Sequence, residues 1–159
     1  MINSGNGLLL KMDYADGGKG DKKRTFLVIR KYDESFHLLN ISSVKGKERK
    51  LGFRNNKNIV RYNPPFLKKS FVKLDSLYII PNTPGIEKVV LCNRRKMHPI
   101  QLKEIINSYE EYREKNKIFI KNVSIEELQE NNPEISFECN SISHKGTIIS
   151  ESQEESNVI

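Results

Sequence analysis

Short runs of apolar and β-branched residues, separated by polar turns, fill most of the first 92 positions of the chain. Two of these runs, residues 25–31 (TFLVIRK) and 35–41 (SFHLLNI), flank a polar turn at residues 32–34. Two strand-like runs on either side of a short polar turn are typical of a β-hairpin, which we therefore predict here. The same pattern predicts further strands at residues 7–13, 58–62, 70–73, 76–80 and 87–92.

A helical pattern of apolar residues begins at Pro99, which fits the first turn of a helix because it has no N–H to leave unpaired. One apolar stripe at helical spacing, which we expect to contact the core, is formed by Ile100, Leu102, Ile105, Ile106, Tyr109 and Tyr112. Ser124 and Glu127 have the spacing of a capping box, so a second, short helix is predicted through Glu130. The pattern ends with a predicted hairpin of residues 134–139 and 146–149 and a disordered segment, residues 150–159.

These elements predict an α+β fold, in which a small, strongly bent antiparallel sheet or SH3-like β-barrel carries a C-terminal helix. The length of 159 residues suits one domain with an appendage. We assign residues 1–120 to the barrel domain and residues 121–159 to an acidic, partly disordered C-terminal extension. The Gly-rich segment 14–24 (YADGGKGDKKR) is predicted to be a flexible, exposed loop in which nothing packs.

The sign of the net charge changes along the chain, at nearly the same position as the predicted domain boundary. The formal net charge is +7, but residues 122–159 contain eight Glu and one Lys, so residues 1–121 carry +14. Many of the positive side chains lie in two predicted loops, residues 14–24 and 42–54. This distribution favours a body that faces a polyanion such as RNA. The alternative interpretation is a solvated, Lys-rich surface without a ligand.

The sequence carries no signal for export, membrane insertion or cofactor binding. The N-terminus lacks the cationic region of a signal peptide, and no run approaches the roughly 18 apolar residues of a membrane span. Cys92 and Cys139 have neither disulfide nor zinc spacing, so both are predicted to be buried free thiols. We therefore expect a cytoplasmic protein with no membrane contact, no metal and no cofactor.

Basic and hydroxyl side chains lie at the ends of the predicted strands. Arg24 and Ser42 are each nine residues from Asp33, so the hairpin would bring them together at its open end. Lys73 and Asp75, two residues apart on a strand, point to the same face. A guanidinium, a hydroxyl and a carboxylate in one place could hold a phosphate and move its protons. The alternative is that these residues are surface charges and turn formers.

Residues 5–116 resemble the MazF/PemK (Kid) toxins of toxin–antitoxin systems. In that family a first strand begins near a Gly, and a loop ending in Arg-Pro precedes an aliphatic strand; here Gly7 opens the run LLL, and Arg24, followed by Thr25 in place of Pro, precedes FLVI. The next strand of the family ends in Ile-Thr or Thr-Ser, and residues 41–43 (ISS) stand there. Residues 70–80 (SFVKLDSLYII) are similar to a later, Asp-containing segment, and a C-terminal helix follows in both.

The resemblance implies a metal-independent endoribonuclease that cleaves single-stranded RNA by attack of a ribose 2′-OH on the adjacent phosphate. It also implies a homodimer held by a cognate antitoxin, which is a protein or an RNA. By this likeness Arg24 would stabilise the reacting phosphate, Ser42 would bind it, and Asp75 would be the general base. Lys73 stands where PemK-type toxins carry a second Arg. The residues expected to bind RNA are Lys19, Lys22, Lys23, Ser43, Lys45, Lys47, Arg49 and Lys73.

Unstacked bases are expected on the sheet face, where Phe26, Phe53 or Tyr62 could stack on them, although core packing is the favoured interpretation of each ring. Two other functions stay open. One is a non-catalytic SH3-like module that binds nucleic acid. The other is a phage- or plasmid-encoded regulatory protein whose charge serves a protein partner.

Overall fold

Six strands form one sheet in the computed structural model, which describes residues 1–135 of the chain. They are β1 (Gly7–Leu10), β2 (Arg24–Lys31), β3 (Ser35–Ser43), β4 (Asn56–Asn58), β5 (Ser70–Pro81) and β6 (Phe119–Asn122). The order β1-β2-β3-β5-β4 is antiparallel throughout, and β6 pairs with β5 in parallel. The predicted α+β class is confirmed. Within the described residues the sheet is an open path, without the pairing that would close a barrel.

The predicted hairpin of β2 and β3 is confirmed, with Thr25 opposite Ile41 and Lys31 opposite Phe36. The strand predicted at residues 58–62 is found slightly earlier in the chain, as β4. The strand predicted at residues 87–92 is wrong, because two 3-10 turns occupy this region, Ile86–Val89 and Cys92–Arg94. Ile86 and Val89, buried in the first of these turns, cover the edge of the core, and one isolated bridge, Leu8 to Val90, is the pairing that remains.

A large bulge interrupts β5. Leu39 of β3 pairs with Leu77 of β5, whereas Ile41 pairs with Val72, so Asn40 alone stands opposite residues 73–76. The sequence divides this region into two strands at the same position, because the polar pair Asp75-Ser76 interrupts the apolar run. On the other edge of β5 the partner changes across the bulge, from β4, whose pairing ends at Lys73, to β6, whose pairing begins at Ser76.

Both faces of the central strands are covered. Along β2, Phe26 and Val28 belong to one buried apolar cluster, and Leu27 and Ile29 belong to another. Because alternate residues of a strand point to opposite faces, the two clusters lie on the two sides of the sheet. Apolar side chains therefore cover both faces of the central strands, and base reading on the rest of the sheet stays a prediction.

Helix α1 (Pro99–Lys115) covers one face of the sheet and begins at Pro99, as predicted. His98 caps it, because its Nδ1 accepts a hydrogen bond from the Ile100 N–H at 3.2 Å. The predicted stripe contacts the core through Ile105 and Tyr109, but Ile100 is 61% exposed, so its inclusion was wrong. Gln101 is buried instead, and its Oε1 accepts hydrogen bonds from the backbone N–H groups of residues 60 and 61, both at 3.0 Å.

Helix α2 (Ile125–Asn131) covers the other face. Ser124 caps it as predicted, accepting a hydrogen bond from the Glu127 N–H at 3.1 Å. Val123, Leu128 and Ile135 are buried in the same cluster as Phe26, so the predicted domain boundary at residue 120 falls inside β6. No helix within residues 1–135 is long and apolar enough to cross a membrane. Cys139, the segment predicted to be disordered and nearly all of the predicted C-terminal hairpin lie outside the described residues.

Candidate functional site

A cleft of about 720 Å³ opens at the end of the sheet where β2 begins and β3 ends. Thr25 pairs with Ile41, so Arg24 and Ser42 are next in register, and both line the cleft. Their predicted meeting at the open end of the hairpin is confirmed. The volume lies within the roughly 300–1,000 Å³ of ordinary ligand sites. The other predicted site residues that line it are Lys19, Lys22, Lys23, Ser43, Lys47 and Lys73.

The walls of the cleft are strongly basic. Seven cationic side chains and one carboxylate, that of Asp21, line it. The cations are Lys19, Lys22, Lys23, Arg24, Lys47, Lys68 and Lys73. Four hydroxyl side chains lie among them, those of Thr25, Ser42, Ser43 and Ser70. Positive charge and hydroxyl donors in one concave site are suited to the phosphates of a polyanion.

Arg24 is held firmly at the base of the cleft. Its Nη2 donates to the Met12 carbonyl at 2.6 Å, and its Nη1 donates to Asn40 Oδ1 at 3.3 Å. The guanidinium carbon lies 3.9 Å from the centre of the Tyr14 ring, a cation–π contact. Its Nε is buried and has no hydrogen-bond partner among the described residues. Arg24 thus has a fixed position and retains unused donor capacity.

Parts of the Gly-rich segment before Arg24 pack against the rest of the protein, so the prediction that nothing in it packs is wrong, whereas residues 16–19 and 21–23 are exposed as predicted. The Ala15 N–H donates to the Tyr78 hydroxyl at 3.1 Å, and the Gly20 N–H donates to Asp13 Oδ1 at 3.0 Å. This second hydrogen bond is the main cause of the lowered pKa of Asp13. Gly20 is buried against the carbonyl of Met12, and no side chain fits between them.

Lys73 lies at the far wall of the cleft, on the bulge of β5. Burial is the main cause of the lowered pKa of its ammonium, and Lys50 lowers it further, whereas Asp75 raises it. The ammonium lies 5.9 Å from the centre of the Tyr14 ring and forms no hydrogen bond or ion pair within residues 1–135. On the opposite wall, Ser42 Oγ accepts a hydrogen bond from the Lys47 ammonium at 3.0 Å.

Three predicted site residues lie outside the cleft. Lys45 and Arg49 are exposed on the loop after β3 and do not line it. Asp75 lines a smaller pocket of about 200 Å³, whose wall it shares with Lys73 and Tyr14. The two cavities are therefore neighbours, because Tyr14 and Lys73 also line the cleft.

The carboxylate of Asp75 is oriented by its neighbours in this smaller pocket. Its Oδ2 accepts a hydrogen bond from Asn55 Nδ2 at 2.9 Å, and its Oδ1 accepts one from Ser76 Oγ at 3.3 Å. Phe53 also lines the pocket and is 49% exposed. Of the other two predicted stacking rings, Phe26 is fully buried and Tyr62 packs against the core.

Three residues that shape the site were not predicted from the sequence. Tyr14 stacks on Arg24, Asn55 holds Asp75, and Asn40 joins Arg24 to the backbone of β2 by donating to the Thr25 carbonyl at 3.0 Å. The role of Asn40 had a signal in the sequence, because it is the one amide in the apolar run of β3. In the structure it is 3% exposed. Tyr14 and Asn55 had none, since each lies in a polar segment.

Residues 1–135 contain no cluster of three or more His, Cys, Asp or Glu side chains that could hold a metal ion. The predicted buried thiol of Cys92 is only half-buried, in a 3-10 turn beside the cleft. No model of a known protein family matches the sequence, and a search of curated proteins finds no significant similarity.

Proposed function

We propose that this protein binds single-stranded RNA in the basic cleft. The observation that carries the proposal is the lining of the cleft, with seven cations, four hydroxyls and one carboxylate. A flexible single strand can follow a concave surface that a stiff duplex cannot enter.

The same site cleaves the bound strand without a metal, in the mechanism that the resemblance to MazF/PemK toxins implies. Asp75 takes the proton of a ribose 2′-OH, and the 2′-oxygen forms a bond to the adjacent phosphorus. The bond from phosphorus to the 5′-oxygen breaks, and that oxygen leaves as a hydroxyl after taking a proton from water. Arg24 stabilises the charge on the phosphorane, and Ser42 and Lys73 hold its oxygens. The products are a 2′,3′-cyclic phosphate and a 5′-hydroxyl end.

The second candidate function is binding without cleavage. It is favoured by the contacts of Arg24, because both of its terminal nitrogens already donate within the protein. The position of Asp75 in the neighbouring pocket also favours it, since a general base must reach the attacking hydroxyl.

Incubation of the protein with labelled single-stranded RNA in EDTA distinguishes the two functions. Cleavage gives 2′,3′-cyclic phosphate ends, and we expect Arg24→Lys to reduce it at least tenfold, because an ammonium lacks the planar fork of a guanidinium. Arg54→Lys is the matched control, since Arg54 is exposed and lines neither cavity. RNA that stays intact but shifts on a gel supports binding alone.

Salt dependence tests the binding itself. If four to seven phosphates are neutralised, the slope of log K against log salt is about −3 to −5 for a single strand. Lys47→Gln, in the cleft, reduces the magnitude of the slope, and Lys45→Gln, outside it, does not. Failure to bind any RNA at low salt contradicts both functions and leaves a protein partner as the ligand of the basic surface.

The proposal also includes a homodimer and inhibition by a protein or RNA antitoxin in the cytoplasm. The dimer and the antitoxin rest on the resemblance. A molar mass of twice 18.4 kDa in light scattering supports the dimer, and a monomer at micromolar concentration contradicts it.

A further inference from the structure

The pocket of about 200 Å³ beside the cleft has the features of a subsite for one nucleobase. It joins the cleft at Lys73 and Tyr14, so a strand whose phosphate lies in the cleft brings its adjacent base to the pocket. At its rim lies Phe53, whose ring is 49% exposed although it is large and apolar. An exposed ring beside a polar pocket is suited to stacking on a base.

The amides of the pocket have a fixed orientation. Asn55 Nδ2 donates to Asp75 at 2.9 Å, and Asn56 Nδ2 donates to the Lys50 carbonyl at 2.9 Å. One N–H of each amide nitrogen is engaged, which fixes the orientation of the amide and leaves its Oδ1 able to accept a hydrogen bond. No donor within residues 1–135 takes either oxygen, so the pocket offers two amide acceptors beside the ammonium groups of Lys50 and Lys73.

Among the four RNA bases, guanine presents the edge that fits such a pocket. Its N1–H and N2–H₂ groups are two donors side by side, whereas uracil has one ring N–H, and adenine and cytosine pair an amino group with an acceptor nitrogen. The neighbouring O6 of guanine is an acceptor, and the pocket offers it the ammonium of Lys50 or Lys73.

We propose that this pocket selects guanine at the nucleotide whose ribose faces Asp75, with Phe53 stacked on the base and Asn55 and Asn56 accepting its hydrogen bonds. The inference rests on the proposed binding of single-stranded RNA in the cleft, and it adds the specificity of that site. Cleavage would then follow guanosine, since the 2′-OH of that nucleotide is the one beside Asp75.

The test uses pentanucleotides UUXUU in which every ribose is 2′-fluorinated, so that no attacking hydroxyl is present and binding is measured without cleavage. With X as guanine, the full-length protein binds about tenfold more tightly than with adenine, cytosine or uracil. Hypoxanthine lacks the N2 amino group and binds about fivefold more weakly than guanine, because one hydrogen bond is lost.

Phe53→Ala removes most of this preference, and Phe119→Ala is the matched control. Phe119 is 50% exposed, lies on β6 and lines neither cavity. Equal affinity for all five oligonucleotides overturns the subsite and leaves RNA binding in place. An equal loss of base preference in the two Phe variants has the same consequence. Preference for another base overturns the assignment to guanine. Binding of none of them at low salt overturns the proposed function, and the subsite with it.

Discussion

At the scale of single residues, the position of Arg24 depends on a glycine. A methyl group on Gly20 would overlap the Met12 carbonyl, which is the acceptor of Arg24 Nη2. Gly20→Ala is therefore expected to lower the free energy of unfolding by about 1–3 kcal/mol, the usual cost of overpacking, and to weaken RNA binding as well.

Chemical denaturation with and without RNA checks this prediction. Gly52→Ala is the control, because nothing lies within 4 Å of its added methyl group and the backbone there is not left-handed. If both variants unfold at the same denaturant concentration as the wild type, the Met12 carbonyl does not need Gly20 as its neighbour.

The lowered pKa of Lys73 predicts a pH dependence of binding. Burial, its main cause, disfavours the ammonium, so this side chain loses its proton below the pH at which ordinary lysines do. Because the charged form attracts phosphate, affinity in the wild type should fall as the pH rises, at a pH below that at which ordinary lysines lose their protons. Lys73→Arg stays protonated there and should keep a flat profile, measured by fluorescence anisotropy at constant ionic strength. A wild-type profile as flat as that of Lys73→Arg would contradict the prediction.

The sequence predicted the charged and hydroxyl residues of the site better than the residues that orient them. The proximity of Arg24 and Ser42 follows from hairpin symmetry, which a sequence reveals. The contacts of Arg24 with Tyr14 and Asn40 depend on the path of a Gly-rich loop and on a bulge. Neither has a periodic pattern, so neither could be predicted.

At the scale of elements, a polar side chain fixes the position of helix α1. Gln101 is 4% exposed and satisfies two backbone N–H groups of the segment after β4. Gln101→Leu removes the acceptor of both part-buried N–H groups and should cost about 1–3 kcal/mol. Ile100→Ala, at the exposed neighbouring position, should change stability by less than about 0.5 kcal/mol. Thermal and chemical unfolding give both values, and an equal loss in the two variants would refute the role of Gln101.

Elements were predictable where apolar periodicity was uninterrupted, as in β2, β3 and α1. The strand expected at residues 87–92 failed because its apolar residues serve the core from 3-10 turns, in which Cys92, Asn93 and Arg94 have positive φ angles. A short apolar run predicts that its residues are buried, but it does not predict the backbone conformation in which they are buried. The bulge of β5 shows the converse, since a polar interruption marked a change of partner within one strand.

At the scale of the whole molecule, the charge of residues 136–159 opposes that of the cleft. Glu134, just before them, pairs with Lys23 of the cleft at 2.8 Å. Replacing Glu151, Glu154 and Glu155 with Gln raises the formal net charge from +7 to +10. RNA affinity at low salt should increase about two- to fivefold, because long-range repulsion is reduced.

The same comparison at about 0.5 M salt provides the control, since screening should remove the difference. A variant that binds RNA no more tightly than the wild type at low salt would show that these carboxylates do not influence the cleft.

The coverage of both sheet faces by apolar clusters has a practical consequence for inhibiting the proposed binding of RNA. Within residues 1–135 the large basic cavity opens at one end of the strands, while helices α1 and α2 close the two sides. An inhibitor therefore needs to cover this end of the strands and not the rest of the protein surface. A short acidic peptide that fills the cleft would be enough. The residues around the opening of the cleft could vary to suit a new inhibitor without disturbing the packing of the core.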